Sequence, residues 1–121
     1  MSKVLVIDDE QNLLKLAGVN LTARGYQVLT APTGEKGLKL AKLEHPDLIL
    51  LDLMLPDIPG WDVLISLKAD QELRKIPVIV LTAAEQQGEG NKIRSMKASG
   101  YLAKPFGVDQ LLWQVKKNLK K

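Results

Sequence analysis

Four short apolar stretches of this chain each run into a side chain that can do chemistry. Val4-Leu5-Val6-Ile7 leads into Asp8 and Asp9, and Leu48-Ile49-Leu50-Leu51 into Asp52. Val78-Ile79-Val80-Leu81 leads into Thr82, and Tyr101-Leu102-Ala103 into Lys104 and Pro105. If these stretches are parallel strands of one sheet, the side chains converge, because open α/β sheets place their sites along the carboxyl edge of the strands. Three carboxylates held close together repel one another, and a divalent cation relieves that repulsion. Mg²⁺ is the expected ion, since it is bound through one or two carboxylates plus waters and phosphate oxygens. Asp9 and Asp52 are the expected direct ligands, Asp8 holds a coordinated water, and the Met54 backbone carbonyl supplies a further oxygen. Asp52 is the expected nucleophile, a carboxylate that forms an acyl phosphate. Lys104 and the metal would neutralise the charge on the phosphoryl oxygens, and the Thr82 hydroxyl would bond one of them. Pro105, with a cis Lys104-Pro105 bond, would aim the ammonium inward.

The elements that must position these groups alternate between strand and helix periods, which argues for α/β architecture with a parallel sheet. Strands are expected at Lys3 to Ile7, Tyr26 to Thr30, Asp47 to Leu51, Pro77 to Leu81 and Gly100 to Ala103. The unbroken apolar run of the first implies burial on both faces. A helix from Glu10 to Arg24 carries Leu13, Leu14, Ala17 and Leu21 on one face and stops at Gly25. A second begins near Thr33 or Gly34, with Leu38, Ala41 and Leu43 inward, and ends at His45-Pro46. A third spans Trp61 to Ala69, with Trp61 packing beneath the loop that precedes it. A fourth falls within Ala84 to Ala98, where Gly88 and Gly90 predict a mobile or late-starting helix. The last runs from Val108 to Leu119, with Val108, Leu111, Leu112, Val115 and Leu119 inward and Trp113 off that stripe. Right-handed crossovers between these units give a three-layer, doubly wound, flavodoxin-like sandwich. Its expected strand order is 2-1-3-4-5, which makes the first and third strands neighbours at the switch point.

With 121 residues, the chain fits a single domain over 1–121 with a core that needs no covalent staples. It has no cysteine, which excludes disulfides, thiolate metal sites and cysteine nucleophiles. No apolar run approaches the ~20 residues of a membrane span, and the start lacks a signal-peptide layout, so a soluble cytoplasmic protein is expected. The net charge of +3 comes from 17 Lys+Arg against 14 Asp+Glu. Lysines 116, 117, 120 and 121 cluster at the end of the last helix, where the helix dipole favours them. No stripe of alternating basic and aromatic residues supports direct nucleic-acid binding.

Asp8-Asp9, Asp52 with Pro56 and Gly60 downstream, Thr82-Ala83 and Lys104-Pro105-Phe106, in this order and spacing, resemble the receiver domain of two-component response regulators. The resemblance covers the whole chain and is of the stand-alone, chemotaxis-regulator kind. It implies that a histidine kinase or phosphotransfer protein donates a phosphoryl group from phosphohistidine to Asp52 with Mg²⁺. His45, the chain's only histidine, sits in a loop, so the donor must come from elsewhere. The resemblance also implies a switch in which Thr82 moves toward phosphorylated Asp52 and Tyr101 rotates into the vacated space. The face made by residues 86–98, 100–103 and 108–119 would then recruit a downstream protein or a second copy, with Trp113 as an anchor. Such a protein acts by binding and catalyses only its own phosphorylation and dephosphorylation. In the family, the positions two after Asp52 and two after Thr82 tune the access of water. They are Met54 and Ala84 here, and neither orients water, so slow self-dephosphorylation is expected. Met1 and the lysine-rich end favour a stand-alone chain over a piece of a DNA-binding or enzymatic regulator. A haloacid-dehalogenase-like phosphatase would need a second acid where Met54 stands. A flavodoxin-like cofactor binder would need a phosphate cradle where Asp8-Asp9-Glu10 stand.

Overall fold

The architecture follows from strands too apolar to leave either face in water. The structure, a computed structural model, describes residues 1–83 and 98–119. In chain order it comprises β1 (Lys3–Ile7), α1 (Gln11–Ala23), β2 (Gln27–Ala31), α2 (Gly34–Glu44), β3 (Leu48–Asp52) and α3 (Gly60–Ala69). Then come β4 (Val78–Ala83), β5 (Gly100–Lys104) and a C-terminal helix (Val108–Leu119). The five strands form one parallel sheet in the order β2-β1-β3-β4-β5, as the sequence predicts.

Alternate residues of each central strand serve opposite layers, because successive side chains leave a strand on opposite faces. Leu5, Ile7, Ile49, Leu51, Val78 and Val80 pack under α2 and α3, with Ala41, Val63, Leu64 and Leu67. Val4, Val6, Leu48, Leu50, Ile79 and Leu81 pack under α1 and the C-terminal helix, with Leu14, Ala17, Leu21, Leu111 and Val115. Burial on both faces is the usual state of parallel strands covered by crossover helices.

The ends of several elements differ from expectation in ways that matter for the site. Strands β3, β4 and β5 run further than predicted, so that Asp52, Thr82 and Lys104 lie inside them. Helix α3 starts one residue earlier, at Gly60, behind Pro59. Leu43, expected inward, is 74% exposed. Ala41 is buried and Leu38 packs partly buried against the core, as expected, while Gly34 and Gly37 complete the inner face of α2 where the helix lies closest to its neighbours. A β-carbon on Gly37 would collide with Ile7. Gly25, at φ 91°, ends α1 as predicted. The helix expected within Ala84 to Ala98, and its late start at Gly88–Asn91, lie outside the described residues apart from Ala98.

Candidate functional site

The strand register fixes which side chains meet. Ile7 pairs with Leu51, Asp52 with Leu81, Thr82 with Ala103 and Ala83 with Lys104, so the chemistry-bearing residues share one edge of the sheet. Asp8 and Thr82 are fully buried and Asp52 is 3% exposed. Asp9 is exposed at the rim. Asp8, Asp9 and Asp52 each place a carboxylate oxygen within 4.8 Å of the others.

Both buried carboxylates divide their oxygens in the same way. Asp8 Oδ1 accepts the Glu10 N–H at 2.9 Å, and Asp52 Oδ1 accepts the Met54 N–H at 3.2 Å. Each is an Asx-type turn, in which the side chain holds the backbone two residues on. The Oδ2 atoms face Lys104, whose Nζ lies 2.8 Å from Asp8 and 3.5 Å from Asp52. Glu10 Oε1 is 3.8 Å from the same nitrogen. The Lys104-Pro105 peptide bond is cis, as expected.

Charge in this cluster is poorly balanced. Burial raises the pKa of Asp52 above its ordinary value, and the neighbouring Asp8 charge raises it further. The Met54 N–H and Lys104 offset only part of that rise. Burial also works against the Lys104 ammonium, but the bond and charge of Asp8, with the charges of Asp52 and Glu10, outweigh it, so Lys104 is held above its usual pKa. Asp8 Oδ2 is fully buried, and the group it faces is the Lys104 ammonium at 2.8 Å. A hard cation fits what these residues offer: three carboxylate oxygens within 4.8 Å of one another, excess negative charge and an all-oxygen donor set.

The backbone behind Asp52 explains why the following loop is so constrained. The Gly60 N–H donates to the Leu53 carbonyl at 3.0 Å. A β-carbon on Gly60 would run into the Asp52 carbonyl oxygen and Leu53 Cα.

The structure thus brings together Asp8, Asp9, Asp52 and Lys104, with Thr82 on the same edge, its hydroxyl donating to the Ala83 carbonyl at 3.3 Å. Met54 meets Asp52 through its N–H, and its side chain is 62% exposed. Tyr101 and Trp113 lie away from this edge, on the β5 and C-terminal-helix surface, 41% and 59% exposed. Lys117 Nζ sits 4.7 Å from the centre of the Trp113 ring. Trp61 packs partly buried against the core on the α3 side.

Sequence reasoning missed two participants. Glu10 turns back toward Lys104, a signal present in the Asp8-Asp9-Glu10 run. Asp57 accepts the N–H groups of Gly34 and Glu35, and nothing in the order of residues joins positions so far apart.

Residues 4–116 match the family model of the response regulator receiver domain. The chain is 45% identical over 112 residues to the transcriptional regulatory protein KdpE of Mycobacterium tuberculosis, covering 93% of this chain but 48% of that protein. It therefore spans about half the length of that curated relative. It is 37% identical over 116 residues to the polar-differentiation response regulator DivK of Brucella abortus, covering 96% of this chain and 94% of DivK. Among solved structures, the chemotaxis response regulator CheY4 of Vibrio cholerae superposes with a TM-score of 0.92 at 27% identity, over 98% of this chain and 99% of that one. The receiver domain of the sensor histidine kinase PA1611 of Pseudomonas aeruginosa, with a magnesium ion coordinated in its active site cleft, superposes with a TM-score of 0.89 at 26% identity, over 99% and 98%.

Proposed function

This chain belongs to the response regulator receiver domain family and is a receiver domain of two-component phosphorelay signalling; on that premise we propose that Asp52 is its phosphoryl acceptor and that it signals by binding rather than by turnover. The observation that carries the reading is a buried Asp52 meeting Asp8, Asp9 and Lys104 on one sheet edge. The Oδ2 atom of Asp52, the oxygen not held by the Met54 N–H, attacks phosphorus. The P–N bond of a partner's phosphohistidine breaks, its electrons leave with the imidazole nitrogen, and an acyl phosphate remains on Asp52. Lys104, already 3.5 Å from that oxygen, draws the phosphoryl charge toward itself. Thr82 offers its hydroxyl from the neighbouring strand.

Asp9 and Asp52 would hold Mg²⁺ directly, with Asp8 on a coordinated water and the Met54 carbonyl as a further donor. The magnesium ion in the PA1611 cleft supports that choice of metal. When bound, Mg²⁺ neutralises the carboxylate cluster and the incoming phosphoryl oxygens. The donor is a histidine kinase or phosphotransfer protein. The output surface is the exposed face around Tyr101 and Trp113, which a downstream protein or a second copy would cover. No helix among the described residues is long and apolar enough to cross a membrane.

Intact mass after incubation with acetyl phosphate, with and without Mg²⁺, tests the acceptor. One Mg²⁺-dependent phosphoryl group mapping to Asp52 is expected, and the Asp52→Asn variant should take none. Stoichiometric labelling of that variant would sink the assignment.

A further inference from the structure

The loop between Asp52 and α3 is tied to a helix that has no part in the chemistry. Gly34 N–H donates to Asp57 Oδ1 at 2.9 Å, and Glu35 N–H donates to Asp57 Oδ2 at 2.9 Å. These are the first amides of α2, which have no partner within their own helix. Asp57 therefore caps α2 from another part of the chain. The seam beside it is closely packed: a β-carbon on Gly34 would meet Ile58 Cγ1 at 2.5 Å and Val63 Cγ2 at 2.9 Å. Helix α2 already has a local cap, because Thr33 Oγ1 accepts the Lys36 N–H at 3.2 Å. The loop gains more than the helix does from the Asp57 bonds.

We propose that Asp57 is a positioning residue for the metal and phosphoryl site, acting through the segment Leu53 to Pro59. That segment is anchored at its start by the Met54 N–H on Asp52 and at its end by the Gly60 N–H on the Leu53 carbonyl. Between these anchors, Leu55 and Ile58 pack against the core, and the two-pronged bond from Asp57 to α2 sets where the loop's backbone stands relative to the Asp8-Asp9 side of the sheet. With it, Met54 presents its backbone to the cluster in one arrangement. Without it, the loop keeps its ends and its apolar contacts and loses its polar tie to α2. The inference rests on the acceptor reading above, but it can fail independently of that reading.

The test compares Mg²⁺ affinity, by calorimetry well below the melting temperature, in wild type, Asp57→Ala, Asp57→Asn and Thr33→Ala. The two Asp57 variants lose the same charge, so a difference between them reads the hydrogen bond alone. The expected result is that Asp57→Ala weakens Mg²⁺ roughly ten-fold, the low end of what losing hydrogen-bonded support around a metal site costs. Asp57→Asn, which keeps an acceptor oxygen for one amide, should recover most of the affinity. Thr33→Ala removes the other cap of the same helix, so it should lower the melting temperature and leave Mg²⁺ affinity unchanged. Equal weakening in Asp57→Ala and Asp57→Asn would overturn the proposal in favour of a bare charge effect. Wild-type affinity in Asp57→Ala, or weakening in Thr33→Ala, would also overturn it. Failure of wild type to accept a phosphoryl group on Asp52 counts against the acceptor reading alone, since the affinity comparison needs no phosphorylation.

Discussion

A carboxylate buried beside another carboxylate stays charged at a cost, and Asp52 bears that cost in the folded chain without a divalent metal, Lys104 offsetting only part of it. Its pKa is raised by burial and by Asp8, so protonation favours the folded state. The associated stability is fully present below the unfolded carboxylate value of about 4 and is lost as the pH rises through the raised folded value. Asparagine at this position never ionises. The Asp52→Asn protein without divalent metal should therefore match wild type in acid and melt progressively higher than wild type toward neutral pH. Added Mg²⁺ should close the gap by stabilising only wild type. A gap that is constant with pH in thermal melts would show that Asp52 carries no such penalty. Met54 bears on the lifetime of the phosphoryl group, since a thioether side chain that is 62% exposed cannot aim a water at phosphorus. Purified phosphoprotein should hold its label, followed by intact mass, without an added phosphatase. Rapid spontaneous loss would contradict this.

At the scale of elements, two glycines make opposite predictions. Gly60 sits where a β-carbon would strike the backbone of Asp52 and Leu53, which cannot move without moving the Asp52 carboxylate. Gly60→Ala should cost about 1–3 kcal/mol in urea unfolding and slow the labelling of Asp52 as well. Gly18, in the middle of α1, has nothing within 4 Å of such a carbon. Gly18→Ala should stabilise by about 0.5–1 kcal/mol and leave labelling untouched. The sequence made much of this arrangement legible. Unbroken apolar runs mark strands buried on both faces, and their downstream residues mark the functional edge, so β1, β3, β4 and β5 and their side chains were readable in advance. What escaped was contact between remote segments. Leu43 follows the helical period but points outward, because α2 approaches the sheet on glycine and alanine. The Asp57 cap and the reason for Gly60 depend on how the loop folds back, which no local period encodes.

For the molecule as a whole, the question is whether an event at the sheet edge reaches the Trp113 surface. Trp113 is off the inward stripe of its helix and lies under Lys117, so its indole reports on that surface. In a Trp61→Phe background, where Trp113 is the remaining tryptophan, phosphorylation of Asp52 should shift the emission of Trp113. An unchanged spectrum at full labelling would sever the surface from the site. The link available to carry the event is the ion pair of Lys104. This residue ends β5, at the outer edge of the sheet, yet its ammonium rests on Asp8 beyond β1, passing over β4 and β3. Mechanically, it is a strut laid across the top of the sheet. A phosphoryl group on Asp52 would compete with Asp8 for this ammonium, which already lies 3.5 Å from the Asp52 carboxylate, and shift the strut's footing from β1 toward β3. That shift would be felt at the other end of the strut, on β5, the strand that carries Tyr101.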